Sequence, residues 1–156
     1  LTVLDFGCGT GLLTQLMSPN VNSIVAIDPS SEMIKKLDNK VLDNVSSISD
    51  YLSKELVRNH PKLNCKFDLI VASSVCSFLP DYEETLSLLN TLLKSGGVFV
   101  QWDWLSEDDS TDMGLSKKRV KQALEANQFV DINITSPFVM SSSKGSMSVL
   151  MAIGKN

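Results

Sequence analysis

Residues Leu1 to Gly11 read Leu-Thr-Val-Leu-Asp-Phe-Gly-Cys-Gly-Thr-Gly, and no other stretch restricts the fold as much. An apolar run with β-branched Val3 ends in an acid, Asp5, and passes into a turn holding Gly7, Gly9 and Gly11. Leu12-Leu13-Thr14-Gln15-Leu16-Met17 follows, with apolar residues at helical spacing. Strand, glycine turn and helix open a nucleotide-binding βαβ unit. A side chain at Gly7 or Gly9 would hold a ligand away from the backbone. Beyond Gly11 the first N–H groups of the helix have no partner within it and suit an anionic group. So many glycines in so short a span cost conformational entropy that an ordinary turn does not need.

The spacing then separates two cofactors. The dinucleotide fingerprint is G-x-G-x-x-G. Counted from Gly7 its third glycine falls on Leu12, and counted from Gly9 on Thr14. An NAD-dependent oxidoreductase is therefore the weaker reading. What stands here is an acid followed by G-x-G-x-G, and Val3 to Gly11 closely resembles motif I of the class I S-adenosylmethionine-dependent methyltransferases. The resemblance runs over essentially the whole chain. Strand-helix alternation already points to a three-layer α/β sandwich. The resemblance adds a Rossmann-like, seven-stranded, mostly parallel sheet, with strand seven antiparallel and slotted beside strand five. It implies S-adenosyl-L-methionine as cofactor and direct displacement of its methyl group by an oxygen, nitrogen or carbon nucleophile of a small-molecule substrate. A non-catalytic S-adenosylmethionine-binding regulatory or partner domain is the alternative.

Ser23 to Ile27 is a short buried strand ending at Asp28, seventeen residues after Gly11. An acid at the end of the second strand can accept both hydroxyls of a ribose. It can also cap a helix, although Ser30 or Ser31 can cap instead. In the resembled family this acid binds the ribose, and the residues matching Pro29 and Met33 lie near the adenine. Without that match Met33 reads as core. Glu32 to Leu42 is an amphipathic helix with Met33, Ile34, Leu37 and Val41 on one face. After a weak strand, Val45 to Ile48, the resemblance puts Asp50 and Tyr51 beside the adenine. Asp50 as N-cap of a helix Leu52 to Arg58 is the competing reading. By the same resemblance Asp5 orients the methionine amino end, and Gly7, Cys8, Gly9 and Gly11 form the floor through their backbone.

Phe67 to Ala72 is the fourth strand. The run Ser73 to Asp81 that follows resembles motif IV of small-molecule methyltransferases, which places Ser73 beside the methionine part of the cofactor. Many relatives carry a histidine pair shortly after this strand; Ser77 and Phe78 hold those places here. His60, in the turn entering strand four, lies at the wrong end for catalysis. No catalytic base is assigned: Asp81, Tyr82 and Asp103 are near enough, and nothing selects among them. The turn lacks the Pro-Pro-aromatic pattern of exocyclic-amine methylation. Cys76 has no basic neighbour to depress its pKa and reads as packing.

Tyr82 to Lys94 reads as a helix stopped by Gly96-Gly97, and Gly97 to Trp102 as the fifth strand. Asp103 to Gly114 is an irregular acidic segment on the cofactor side, where Trp104 could stack on a substrate and the acids could favour an amine. Ser116 to Ala126 is a helix with Asn127 at its left-handed stop. Val130 to Thr135 alternates as strand six, Pro137 to Gly145 reads as a connecting loop, and Met147 to Ile153 as strand seven.

Composition narrows the partners. The formal net charge is −4, which argues against a polyanionic nucleic-acid substrate. Cys8, Cys65 and Cys76 form no C-x-x-C pair and have no histidine neighbours, so no metal site is expected. The odd cysteine count suits a reducing compartment, and no apolar run approaches a membrane span. A cytoplasmic protein is the expectation; oligomeric state is not legible. The chain opens inside its first strand without an initiator Met. Residues 1–156 are therefore expected to be a single domain lacking its natural N-terminal segment.

Overall fold

The computed structural model describes residues 1–107 and 113–156. Its centre is a sheet of seven strands: β1 (Thr2–Phe6), β2 (Ser23–Ile27), β3 (Val45–Ile48), β4 (Phe67–Ser73), β5 (Leu93–Trp104), β6 (Val130–Ser142) and β7 (Gly145–Lys155). The order is β3-β2-β1-β4-β5-β7-β6. The pairs from β3 through β5 are parallel, and β7 runs antiparallel to both β5 and β6. The expected sheet, with its antiparallel strand beside the fifth, is what forms.

Side-chain alternation along the strands makes the layers. Leu4, Phe6, Val25, Ile27, Ile70 and Ala72 face one side. There they meet α3 (Lys54–Asn59), α4 (Tyr82–Leu92) and α5 (Lys117–Ala126) through Leu56, Leu86, Leu89, Val120 and Leu124. Val3, Ile24, Ala26 and Val71 face the other side. That side is covered by α1 (Leu12–Met17) and α2 (Ser31–Asp38) through Leu13, Ile34 and Leu37. Asp5 shares the face of Val3, so its buried carboxylate lies under α1. The chain moves outward from β1 to β3 and then crosses back to β4. That reversal opens a crevice above the carboxyl ends of β1 and β4.

Several boundaries differ from the sequence reading. α2 ends at Asp38, and Val41, expected on its apolar face, is 79% exposed with φ 50°. α4 ends at Leu92 rather than Lys94. The glycine pair instead sits in a register shift of β5, which pairs Leu93 with Phe67 but Val98 with Leu69. Gly96 has φ 72° there, the left-handed conformation a bulge demands. The left-handed residue after α5 is Gln128 (φ 66°), not Asn127.

The largest correction concerns 137–145. This is no loop: β6 and β7 form a long hairpin joined by Ser143-Lys144 alone, with Ser142 paired to Gly145. Pro137 is tolerated because it falls at a second register shift, between Thr135 and Phe138, on the edge strand. Among the described residues no helix is long and apolar enough to cross a membrane, and no group of three His, Cys, Asp or Glu side chains could hold a metal ion.

Candidate functional site

The crevice contains a cleft of about 500 Å³ above the glycine turn. It is lined by Asp5, Gly7, Cys8, Gly9, Asp28, Pro29, Met33 and Ser73 among others. Most of the residues singled out in the sequence therefore meet at one place. Asp50 and Tyr51 line an adjoining groove of about 640 Å³. The two spaces share Gly7, Pro29, Val75 and Phe78 and are continuous around them. Gly11 is the exception. A Cβ there would sit 2.3 Å from Leu37 Cδ1, so this glycine serves packing against α2.

The turn is held by its own backbone. The N–H groups of Gly7 and Cys8 donate to Ile27 O at 2.9 and 3.1 Å, and Gly11 N–H to Cys8 O at 2.9 Å. All three glycines have positive φ. A Cβ on Gly9 would meet nothing within 4 Å; it would project into open space above the turn. Asp28 accepts from Gly9 N–H at 3.0 Å on one oxygen and from Ser30 N–H at 2.9 Å on the other. It thus ties the glycine turn to the end of β2. Its role as a helix cap falls to Ser30, which accepts from Met33 N–H. Asp50 is released from capping in the same way, because α3 starts at Lys54 with Ser53 as cap.

Asp5 is 1% exposed. Its carboxylate accepts from Thr14 Oγ1 at 2.5 Å, a partner supplied by α1 that the sequence reading did not name. Burial, and then the charge of Asp28, push its pKa up to about 6 despite that bond. The same surroundings hold the Cys8 thiol protonated, its pKa pushed up to about 12 by burial and by Asp5 and Asp28. Two carboxylates thus line the cleft, and no Lys or Arg does. The arrangement favours a cation.

Asp103, Tyr82 and Gln101 form a buried string beyond Ser73. Tyr82 O–H donates to Gln101 Oε1 at 2.6 Å, and Gln101 Nε2–H to Asp103 Oδ2 at 2.9 Å. Ser77 N–H donates to Asp103 Oδ1 at 3.0 Å. Burial pushes the Asp103 carboxyl up to about 6. Asp81 caps α4 by accepting from Glu84 N–H. Each of the three groups weighed as a base is thus committed to a structural bond. Cys76 is wholly buried, and burial raises its thiol pKa. His60 lies in the turn before β4, accepting from Lys62 N–H at 3.3 Å.

A further recess of about 190 Å³ lies past Ser73 and Ser74. Trp102 and Trp104 from β5, Phe138 and Met140 from β6, Val149 from β7 and Leu13 from α1 line it. Trp104, considered from the sequence as a residue that could stack on a substrate, is one of the residues lining it. The acidic segment after it was expected to shape the pocket, but residues 108–112 lie outside the described residues. Phe138 and Met140 were missed because a serine-rich run hid how far the hairpin of strands six and seven extends. The signal was present in the apolar triplet Phe138-Val139-Met140.

The family model for the methyltransferase domain matches residues 1–138. Malonyl-(acyl-carrier protein) O-methyltransferase of Hamiltonella defensa is 27% identical over 128 residues, which cover 82% of this chain and 47% of that protein. The enzyme of the same name from Halalkalibacterium halodurans is 35% identical over 102 residues, covering 63% of this chain and 37% of its own length. The chain spans less than half the length of these relatives. Among solved structures, the CurJ carbon methyltransferase superposes with a TM-score of 0.76 at 18% identity, covering 99% of this chain and 48% of that one. Magnesium protoporphyrin IX methyltransferase from Synechocystis, solved with bound S-adenosylmethionine, gives 0.69 at 18% identity over 97% of this chain and 68% of that one. At these identities the superpositions establish the fold.

Proposed function

The chain belongs to the methyltransferase domain family, and from that premise we propose that residues 1–156 act as one unit that binds S-adenosylmethionine and transfers its methyl group to a small-molecule acceptor. The observation that carries this is the pair of carboxylates, Asp5 and Asp28, flanking a glycine turn in a cleft without Lys or Arg. A cofactor with an ammonium and a sulfonium is drawn to such a site; a pyrophosphate would meet two negative charges and no counterion.

When bound, the cofactor supplies a methyl group on cationic sulfur, open to direct displacement by an oxygen, nitrogen or carbon nucleophile. The chain's residues have the remaining tasks. Asp5 faces the amino end of the methionine and Asp28 the ribose hydroxyls, using lone pairs left over from its bonds to Gly9 and Ser30. Gly7, Cys8 and Gly9 give a floor without side-chain bulk at Gly9. Pro29 and Met33 border the adenine on one side, Asp50 and Tyr51 on the other. Ser73 stands where the cleft meets the recess beyond it, and so beside the sulfonium. Gly11 acts indirectly, by letting the turn pack on Leu37. Cys8, Cys76 and Tyr82 stay protonated, so the chemistry rests on positioning an external nucleophile rather than on a covalent intermediate.

Calorimetric titration with S-adenosylhomocysteine tests this. Binding of about −7 to −8 kcal/mol is expected, with no binding of NAD. Asp28→Ala should weaken it by about 1.5–3 kcal/mol through loss of charge-assisted hydrogen bonds. Binding of NAD in its place, or binding indifferent to Asp28, would refute the proposal.

A further inference from the structure

The recess beyond Ser73 and Ser74 is built differently from the cleft it adjoins. Leu13, Ser73 and Ser74 line both, so a group seated in one space faces a group seated in the other. Its walls are two indole rings, a phenyl ring and the side chains of Met140, Val149 and Leu13. Its volume of about 190 Å³ sets the occupant's size; an engineered apolar cavity of about 150 Å³ takes benzene. Charge sets its nature. Asp103 is the one carboxylate lining the recess among the described residues, and no Lys or Arg lines it. Asp103 is only 1% exposed, with one oxygen held by Ser77 N–H and the other by Gln101 Nε2–H. An anionic acceptor would find no cation there, and the aromatic and aliphatic side chains that make up most of the wall favour an uncharged group. Aromatic walls favour a flat ring by stacking or edge contact.

We propose that this recess is the acceptor subsite and that it takes an uncharged acceptor with a single aromatic ring, such as a phenol. The proposal rests on the cofactor placement given above. Seated there, the ring presents its hydroxyl oxygen toward Ser73 and the cleft. A lone pair of that oxygen forms the new O–C bond to the methyl carbon. The C–S bond breaks with its electron pair going to sulfur, and the phenolic proton passes to water. The hairpin selects the acceptor, since Phe138 and Met140 form the β6 side of the recess.

The two tryptophans of the chain are Trp102 and Trp104, and both line the recess, so intrinsic fluorescence reads its occupancy directly. The experiment titrates 4-methylphenol into the chain held with saturating S-adenosylhomocysteine, with benzyltrimethylammonium and methyl butyrate as the other chemical classes. A saturable change is expected with 4-methylphenol and not with the other two. Phe138→Ala and Met140→Ala remove half-exposed side chains. Each should weaken the phenol response at least about fivefold while leaving the calorimetric affinity for S-adenosylhomocysteine within about twofold. Tighter binding of the ammonium or the ester, no saturable phenol response, or a response unmoved by both substitutions would overturn the proposal. A chain that binds S-adenosylhomocysteine but not the phenol overturns the acceptor class alone. One that binds the phenol but not S-adenosylhomocysteine overturns the cofactor reading.

Discussion

Gly11→Ala separates the packing role of the glycine turn from its ligand-facing role. Gly11 has φ +77°, and an added Cβ would lie 2.3 Å from Leu37 Cδ1 and 3.1 Å from Leu37 Cγ. The left-handed backbone costs a non-glycine residue about 1–2 kcal/mol. Forcing a methyl group against a packed leucine adds about 1–3 kcal/mol. The substitution should therefore destabilise the chain by about 2–5 kcal/mol, a large part of the roughly 5–15 kcal/mol that holds a domain folded. Leu37→Ala alone should cost about 2–5 kcal/mol, because Leu37 is 2% exposed and leaves a cavity. Combined, the new methyl group enters that cavity, and the double variant should be less destabilised than the sum by about 1–3 kcal/mol. Gly9→Ala is the control. Its backbone is also left-handed (φ +54°), but its Cβ meets nothing within 4 Å. It should lose only the conformational part, about 1–2 kcal/mol. Urea unfolding at constant m value measures all four variants. Calorimetry then adds the functional half: Gly9→Ala should lose affinity for S-adenosylhomocysteine, while folded Gly11→Ala keeps it within about threefold. Additivity of Gly11→Ala and Leu37→Ala within about 0.5 kcal/mol would refute the reasoning. So would a Gly9 variant less stable than the Gly11 one.

Asp5 and Asp103 give the pH predictions. The ionised form of Asp5 is the one that attracts an ammonium, and its pKa is about 6. Affinity for S-adenosylhomocysteine should rise with pH through that value and level off above 7, with binding about tenfold weaker at pH 5 than at pH 7. A flat profile would remove Asp5 from the site. For stability the sign is opposite to ordinary acid denaturation. Between pH 4 and 6 the folded chain holds protons on Asp5 and Asp103, both near 6, that the unfolded chain has released. Their contribution therefore falls as pH rises through that window, by at most about 1.4 kcal/mol per pH unit for each group. Asp103→Asn should make urea stability at pH 7 relative to pH 4.5 more favourable than in the parent chain; an unchanged difference would show that Asp103 does not titrate there. Tyr82→Phe leaves Gln101 Oε1 buried without its 2.6 Å donor and should cost about 1–3 kcal/mol in the same assay.

The parts of the site set by local chain geometry could be read from the residues. Asp5, Gly7, Gly9 and Asp28 lie at strand ends and in a tight turn, where position along the chain fixes position in space. The parts made by distant segments could not. Thr14 meets Asp5 across the turn. Gln101 links Tyr82 to Asp103 only because β5 lies beside α4. The recess needs four strands and a helix to exist. Gly11 shows the limit in another way: a glycine required by a packed neighbour and one required for a ligand look alike in a sequence. Only the position of Leu37 tells them apart. The full length of the hairpin was obscured because Ser141-Ser142-Ser143-Lys144-Gly145 has the composition of a loop. What decides its structure is the pairing of β6 with β7, a contact between segments.

The insertion of β7 between β5 and β6 orders the events of folding. Strands β1 to β5 can pair in parallel as soon as β5 is made. Until β7 arrives, however, β5 presents an open row of N–H and C=O groups beside Val98, Phe99 and Val100. Such an edge invites pairing with other chains. The hairpin adds little to that interval once β7 is made. With a two-residue turn, β6 and β7 find each other on a timescale of about 1–10 μs and can dock on β5 as a preformed ribbon. The strand that completes the sheet also brings the wall of the recess with it. A chain halted before β7 would hold the glycine turn and both cleft carboxylates, yet have neither a protected sheet edge nor a complete recess.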